Sequence, residues 1–168
     1  MGAGNGKNFP HYPDSVTEVV AVEPEPTLRK LGEEESKSAV APIHVVDGVA
    51  EELPVEDESF DVGVVSLVLC SVRDQDRALG ELRRVIRPGG ELRFYEHVIS
   101  KNRVEAGIQW ALDRTFYPWV SGNDHLSRDT GAAIERNGFA IEASERFRFS
   151  PAVWLPPDDH ILGIARRP

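Results

Sequence analysis

Short apolar runs alternate with amphipathic stretches along the chain, and this alternation predicts strands separated by helices. The predicted strands are residues 16–22, Ile43–Val46, residues 62–69, residues 91–98, Ala140–Phe149 and residues 160–165. The run 62–69 is almost wholly apolar, which is the pattern expected where both faces of a strand are buried in a parallel sheet. The last two strands follow each other without a helix between them, so we expect them to form an antiparallel pair.

Four helices are predicted from apolar positions that recur at helical spacing and from residues that favour helix ends. They are residues 27–37 with Thr27 as N-cap, a helix begun by Asp74 and stopped by Pro88-Gly89-Gly90, residues 104–119, and residues 127–137 with Ser127 as N-cap and Gly138 after the end. Strands alternating with helices predict an α/β fold with an antiparallel hairpin at its end. Nucleotide-binding folds without that terminal pair are the main competitors.

Composition and charge narrow the class of protein. The 168 residues suit one domain spanning 1–168, and a formal net charge of −9 disfavours nucleic acid as a partner. A single cysteine, Cys70, excludes an internal disulfide. No apolar run approaches the roughly 20 residues that cross a bilayer, so we expect a cytoplasmic protein without a membrane anchor in this chain.

A glycine run and an acid form the first candidate site. Gly2, Gly4 and Gly6 precede the first predicted strand, and Glu23 follows it. Glycines at this spacing let the backbone approach a ligand closely, and an acid after the strand accepts hydrogen bonds from the two hydroxyls of a ribose. Taken separately, the run could be a flexible tail and the acid a surface residue. Together they favour a nucleoside site.

Three further motifs follow in order: Ala50-Glu51-Glu52-Leu53-Pro54, Asp57-Glu58-Ser59-Phe60-Asp61 and Ile86-Arg87-Pro88-Gly89-Gly90. With the glycine run and Glu23, they resemble the type-11 group of class I S-adenosylmethionine-dependent methyltransferases over essentially the whole chain. Within that group, Tyr95-Glu96-His97-Val98 and the residues Asp113, Gly122, His125, Leu126 and Arg128 resemble the branch that includes thiol S-methyltransferases. The resemblance implies a Rossmann-like methyltransferase sheet and S-adenosyl-L-methionine as cofactor.

The resemblance also assigns the cofactor-binding residues. It places Gly2, Gly4 and Gly6 around the methionine part of the cofactor, Glu23 on the ribose, Val49 and Ala50 beside the adenine, and Ser66 and Leu67 at the methionyl end. Many relatives carry an acid where this chain has Val49. Contact with the adenine amino group would therefore fall to backbone atoms here.

The start of the chain departs from the family pattern. Relatives enter the glycine loop from an apolar strand at the centre of the sheet, whereas here Met1 stands where that strand should end. The resemblance therefore predicts a sheet whose first, central strand is missing and a chain truncated at its N-terminus. A start assigned too late, a fragment and a rearranged fold are the competing accounts.

Two histidines are candidate general bases for methyl transfer. His97 ends a predicted strand beside the expected cofactor crevice, and the ordinary pKa of histidine suits proton abstraction. His125, next to Asp124, is the second candidate. A half-exposed strand position explains His97 equally well, and a loop cap explains His125 better than a base does. Four aromatic residues would cover the acceptor as a lid: Trp110, Phe116, Tyr117 and Trp119. Such a lid indicates a small apolar acceptor, and no metal-ligand spacing occurs.

The sequence leaves two other functions open. One is a truncated module of the methyltransferase fold that is catalytically impaired or non-catalytic. The other is a nicotinamide-dependent reductase, which shares the glycine run and Glu23 but would need a Tyr-x-x-x-Lys pair that is not evident. The identity of the acceptor atom and the oligomeric state are not fixed by the sequence.

Overall fold

The computed structural model describes residues 1–115, 119, 125–150 and 157–168. The chain forms two compact units, Met1–Pro54 and Val55–Pro168. The expectation of one domain over residues 1–168 stays a prediction. Within the described ranges, no helix is both long enough and apolar enough to cross a membrane.

The first unit contains a short parallel strand pair and one α-helix. Its elements are a 3₁₀ turn at Phe9–His11, β1 at Val19–Val22, α1 at Pro26–Ser36 and β2 at Ile43–Val46. Strands β1 and β2 pair in parallel from Val19↔Ile43 to Val22↔Val46. The predicted N-cap Thr27 is wrong, because Pro26 already occupies the first turn and the Glu25 carboxylate accepts the Leu28 amide at 2.6 Å.

The second unit contains a four-stranded mixed sheet with three described α-helices. Its elements are β3 at Phe60–Ser66, α2 at Gln75–Val85, β4 at Ile86–His97, α3 at Arg103–Asp113, α4 at Thr130–Arg136, β5 at Ala140–Phe149 and β6 at Asp158–Arg166. The strand order is β3-β4-β6-β5, with β3 parallel to β4 and the other neighbours antiparallel. The predicted α/β fold and its terminal antiparallel pair are therefore confirmed.

The core of the second unit follows the alternation of β4. Leu92, Phe94, Glu96 and Val98 are all buried on one face of the strand. Helix α2 contributes apolar side chains at helical spacing to the core, and Asp74 caps its start by accepting the Arg77 amide, as predicted. Burial of each large apolar side chain stabilises the folded state by about 1.5–3 kcal/mol relative to leaving that side chain exposed.

Strand β3 differs from its prediction in two ways. It ends at Ser66 rather than at residue 69, and Val62 is 40% exposed although both faces were expected to be buried. In the described part of the chain β3 pairs only with β4, so one edge of the strand has no neighbouring strand. The prediction of a missing central strand stays a prediction.

The bounds of three further helices differ from their predictions; α3 covers Arg103–Asp113, where residues 104–119 were predicted. Helix α2 ends at Val85 because Ile86 already pairs with Phe60, so Pro88-Gly89-Gly90 lies inside β4 instead of stopping the helix. Helix α4 begins at Thr130, capped by Asp129, and not at Ser127. The Ser127 hydroxyl instead donates to the Asp113 carboxylate at 2.5 Å. Gly138, with φ +82°, follows the helix end as predicted.

Candidate functional site

The glycine loop of the first unit is held against the end of β1. Gly2, Gly4 and Gly6 all have positive φ, at 65°, 56° and 82°. The Ala3 amide donates to the Val22 carbonyl at 3.1 Å, so this segment is a hydrogen-bonded turn and not a free tail. Glycine adopts a positive φ more easily than any other residue, so glycines suit these three positions of the loop.

We expect Gly6→Ala to destabilise the first unit by about 2–3 kcal/mol. A Cβ at this position would lie 2.8 Å from the Phe9 ring and 3.0 Å from the Glu35 Cβ, on a backbone that disfavours side chains. Urea unfolding measures the change. The matched control is Gly80→Ala in α2, where a Cβ meets nothing within 4 Å and should stabilise by about 0.5–1 kcal/mol. Equal stability of both variants would contradict the expected clash.

Glu23 connects the glycine loop to the end of β1. Glu23 is only 6% exposed; its Oε2 accepts the Gly4 amide at 2.8 Å and its Oε1 accepts the Glu25 amide at 3.0 Å. Each carboxylate oxygen can accept a further hydrogen bond, as the two hydroxyls of a ribose require. A Cβ on Gly4 would meet no atom within 4 Å, so the loop is open at this glycine. These residues fit the nucleoside part of S-adenosylmethionine.

A second set of contacts fixes the turn that carries Glu23. The Arg29 guanidinium donates to the Glu23 carbonyl at 2.9 Å and to the Asp47 carboxylate at 2.8 Å. It therefore joins the start of α1 to the ends of both strands. Among the residues predicted beside the adenine, Val49 is 46% exposed and Ala50 is buried. Their contact with adenine stays a prediction.

In the second unit, β3 and β4 end at the same edge of the sheet because they are parallel. Ser66 is the last residue of β3, and the Leu67 amide donates to the Tyr95 carbonyl at 2.8 Å. Leu67 has a φ of +55°, which is unusual for a residue with a side chain, and it is 44% exposed. Ligands of α/β sheets bind at this edge of the strands.

Glu96 lies one residue before the end of β4, and its side chain is fully buried. Its Oε1 accepts the Val68 amide at 3.0 Å, and its Oε2 accepts the Cys70 amide at 3.1 Å. Burial raises the pKa of the Glu96 carboxyl group to about 7, and the backbone amides that donate to it oppose that rise. The carboxylate thus holds the loop that follows β3.

His97 belongs to an aromatic cluster on the opposite face of β4. We define the aromatic cluster as Tyr95, His97, Phe147, Phe149 and His160. The rings of His97 and His160, which are cross-strand neighbours, lie 4.4 Å apart, and Tyr95 stacks on His160 at 5.2 Å. Burial raises the pKa of the Tyr95 hydroxyl. The cluster is an apolar surface with imidazole groups embedded in it.

Asp158 gives His97 an acidic neighbour. The His97 Nε2 lies 3.6 Å from the Asp158 Oδ2, and the His97 side chain is 18% exposed. This distance is within ion-pair range but longer than a hydrogen bond. Asp158 would therefore stabilise a protonated His97 by charge. A partly exposed imidazole beside a carboxylate can accept and hold a proton.

The other candidate base lies near the loop that follows β3. The His125 amide donates to the Cys70 carbonyl at 3.0 Å, whereas its proposed neighbour Asp124 lies outside the described residues. Of the predicted lid, Trp110 is half exposed with the Arg114 guanidinium 3.6 Å above its ring, and Trp119 is exposed. Phe116 and Tyr117 lie outside the described residues. The roles of His125 and the lid stay predictions.

Three side chains that the fold brings to this edge were given no role from the sequence: Glu96, Asp158 and His160. Glu96 could have been found, because it falls between Phe94 and Val98 on the apolar face of an alternating strand, where a carboxylate needs donors. Asp158 and His160 depend on the pairing of β6 with β4, which no local pattern specifies.

A glycine loop whose amide is held by a buried carboxylate after β1, together with an α/β sheet that ends in an antiparallel pair, is the arrangement of a class I S-adenosylmethionine-dependent methyltransferase. Comparison with known proteins agrees. A family model described as a methyltransferase domain matches residues 1–94. The chain is 34% identical to the thiol S-methyltransferase TMT1B of Mus musculus over 171 residues, covering 98% of this chain and 68% of the relative. It is 33% identical to the thiol S-methyltransferase TMT1A of Homo sapiens over 169 residues, with the same coverage.

Solved structures agree on the fold. A SAM-dependent methyltransferase of Methanosarcina mazei superimposes with a TM-score of 0.77 at 18% identity, covering 99% of this chain and 89% of that one. The YcgJ protein of Bacillus subtilis superimposes with a TM-score of 0.76 at 16% identity and the same coverage. The chain belongs to the S-adenosylmethionine-dependent methyltransferases, and S-adenosylmethionine is its cofactor.

Proposed function

We propose that this enzyme transfers the methyl group of S-adenosylmethionine to the sulfur of a small apolar thiol by in-line displacement. Two observations support a thiol acceptor. The relatives with about one-third identity over nearly the whole chain are named thiol S-methyltransferases. His97, beside Asp158, is an imidazole that can accept the proton of a thiol.

The cofactor, when bound, supplies a methyl group activated by a positively charged sulfur. In this proposal, Glu23 binds the ribose hydroxyls and the Gly2–Gly6 loop lies along the methionine part, with Val49 and Ala50 beside the adenine. Ser66 and Leu67 lie at the methionyl end. The protein aligns the acceptor with the methyl group and excludes water, and no covalent bond to an enzyme side chain forms.

His97 takes the proton that the acceptor loses. The S–H bond breaks as the proton passes to the imidazole, and the sulfur lone pair forms the new S–C bond while the bond from the methyl group to the cofactor sulfur breaks. Asp158 stabilises the resulting imidazolium by its charge. The relatives named thiol S-methyltransferases carry the choice of sulfur as acceptor atom, and His97 with Asp158 supplies the base.

The choice of an apolar acceptor follows from the surroundings of His97. The rings of Tyr95, Phe147 and Phe149 lie on the same face, and a charged acceptor would lose its hydration there without gaining a partner. We therefore expect an uncharged thiol to be preferred over a zwitterionic thiol such as cysteine. The acceptor is a small molecule in this proposal.

The test compares three acceptors of one shape: 2-phenylethanethiol, 2-phenylethanol and 2-phenylethylamine. We expect kcat/KM for the thiol to exceed that for the alcohol by about 100-fold or more, because the pKa of a thiol, about 8.5 in the cysteine side chain, lies far below the pKa of about 16 of an alcohol or water. Mass spectrometry of the methylated products measures this ratio. Cysteine is the charged control. Faster methylation of the alcohol or amine, or no thioether at all, would refute the proposal.

A further inference from the structure

Glu96 is a buried carboxylate that the proposed reaction does not use. It is 0% exposed, on the face of β4 that also carries Phe94 and Val98. A charge removed from water is costly unless donors replace the water. Its donors come from one short loop, where the amides of Val68 and Cys70 point at its two oxygens.

That loop has a backbone conformation that needs support. Leu67 has a φ of +55°, and a residue with a side chain keeps such a conformation only when its surroundings enforce it. The Leu69 carbonyl accepts from Gln75 Nε2 at 3.2 Å and from an Arg128 guanidinium nitrogen at 2.6 Å. Glu96 fixes the amides of this loop, and these two side chains fix a carbonyl.

The loop lies at the edge of the sheet where the acceptor would react. The Leu67 amide donates to the Tyr95 carbonyl, and His97 follows two residues later on the same strand. A shift of about 1 Å in a residue that aligns reacting groups can lower a rate by about 100-fold. The conformation of this loop therefore bears on the alignment of acceptor and methyl group.

We propose that Glu96 is a positioning residue for methyl transfer, whose carboxylate holds residues 67–70 in the conformation that aligns the acceptor. This inference rests on the proposed function for its catalytic consequence. Its structural half, the ordering of the loop, does not depend on the identity of the acceptor.

The test is Glu96→Gln, studied at pH 8 without and with S-adenosylmethionine. The amide has the same shape but turns a donor towards one backbone N–H, and it removes a buried charge, so we expect it to fold. In the ligand-free chain, hydrogen exchange at Val68 and Cys70 should become about tenfold faster or more. The kcat for a thiol should fall about tenfold or more, while the affinity for the cofactor changes less than about threefold.

Glu91→Gln is the matched control, because Glu91 lies on the same strand and contacts Arg93 and Arg166 instead of the loop. It should leave the exchange rates and kcat unchanged. If Glu96→Gln does not fold, Glu96→Asp keeps the charge but shortens its reach and should show the same two effects. Unchanged exchange at Val68 and Cys70, or a kcat equal to that of Glu91→Gln, would overturn the inference. Absence of thioether with the unmodified chain would instead refute the proposed function, and the exchange rates would still decide whether Glu96 holds the loop.

Discussion

Replacement of Glu23 by alanine is expected to weaken the binding of S-adenosylmethionine about 100-fold. In the proposed complex, the Glu23 carboxylate accepts hydrogen bonds from both ribose hydroxyls. A hydrogen bond to a charged group contributes about 1.5–3 kcal/mol. Loss of two such bonds at the lower value is about 3 kcal/mol, or about 100-fold in Kd. Calorimetric titration with the methyl donor and with its demethylated product measures the change.

Two variants show whether the loss comes from the ribose contacts. Glu23→Gln keeps one acceptor oxygen for the Gly4 amide, so a large loss in this variant would not come from release of the glycine loop. Glu33→Ala removes an exposed carboxylate from α1 in the same unit and should leave the affinity unchanged. If Glu23→Ala binds the cofactor within threefold of the unmodified chain while circular dichroism shows the same cooperative melting, Glu23 is not a ribose ligand. Absence of binding by the folded, unmodified chain would favour a non-catalytic module.

The sequence predicts the elements of this fold best where the local pattern and the long-range pairing agree. Ile43–Val46 and Ala140–Phe149 were predicted with their observed bounds, because β-branched or alternating runs end there at Gly, Pro or polar residues. Asp74 was correctly identified as a cap, and its carboxylate accepts the Arg77 amide. These are local features, and local features can be derived from one sequence.

Element ends that depend on partners elsewhere in the chain were predicted less well. Ser127 has the composition of an N-cap, yet its hydroxyl is used by Asp113, fourteen residues earlier, and Asp129 caps the helix instead. Ile86 continues the apolar pattern of α2, yet pairing with Phe60 makes it the first residue of β4. In both places a contact distant in sequence overrides a weak local preference.

In the candidate site, too, local features can be predicted from the sequence and contacts between distant residues cannot. Glu23 follows from its place between a strand and a proline, and His97 from its place at a strand end. The partners of these residues do not follow from the sequence in this way. Asp158 comes beside His97 because β6 returns antiparallel to β4, and the Glu96 carboxylate meets two amides because the loop after β3 folds over it. A candidate for a chemically active group can be proposed from one sequence, whereas the neighbours of that group become known only from the fold.

Replacement of His97 by asparagine is expected to lower kcat for 2-phenylethanethiol by about 100-fold or more, which is the usual contribution of a general base. Asparagine keeps a polar side chain of similar size but cannot accept the proton. The affinity for S-adenosylmethionine should change less than about threefold, because His97 is not among the proposed ligands of the nucleoside. Single-turnover measurement of the thioether separates the chemical step from product release.

An acidic acceptor shows whether the loss comes from proton transfer. An arenethiol with a pKa well below 7, such as 4-nitrobenzenethiol, enters as the thiolate and needs no base, so the deficit of His97→Asn should shrink to less than about tenfold. His44→Asn is the matched control, since His44 also lies near a carboxylate, 3.7 Å from Glu18, but on the exposed surface of the first unit. His44→Asn should leave kcat for both thiols unchanged. Equal deficits of His97→Asn with the two thiols would assign His97 to packing within the aromatic cluster, because loss of packing does not depend on the pKa of the acceptor.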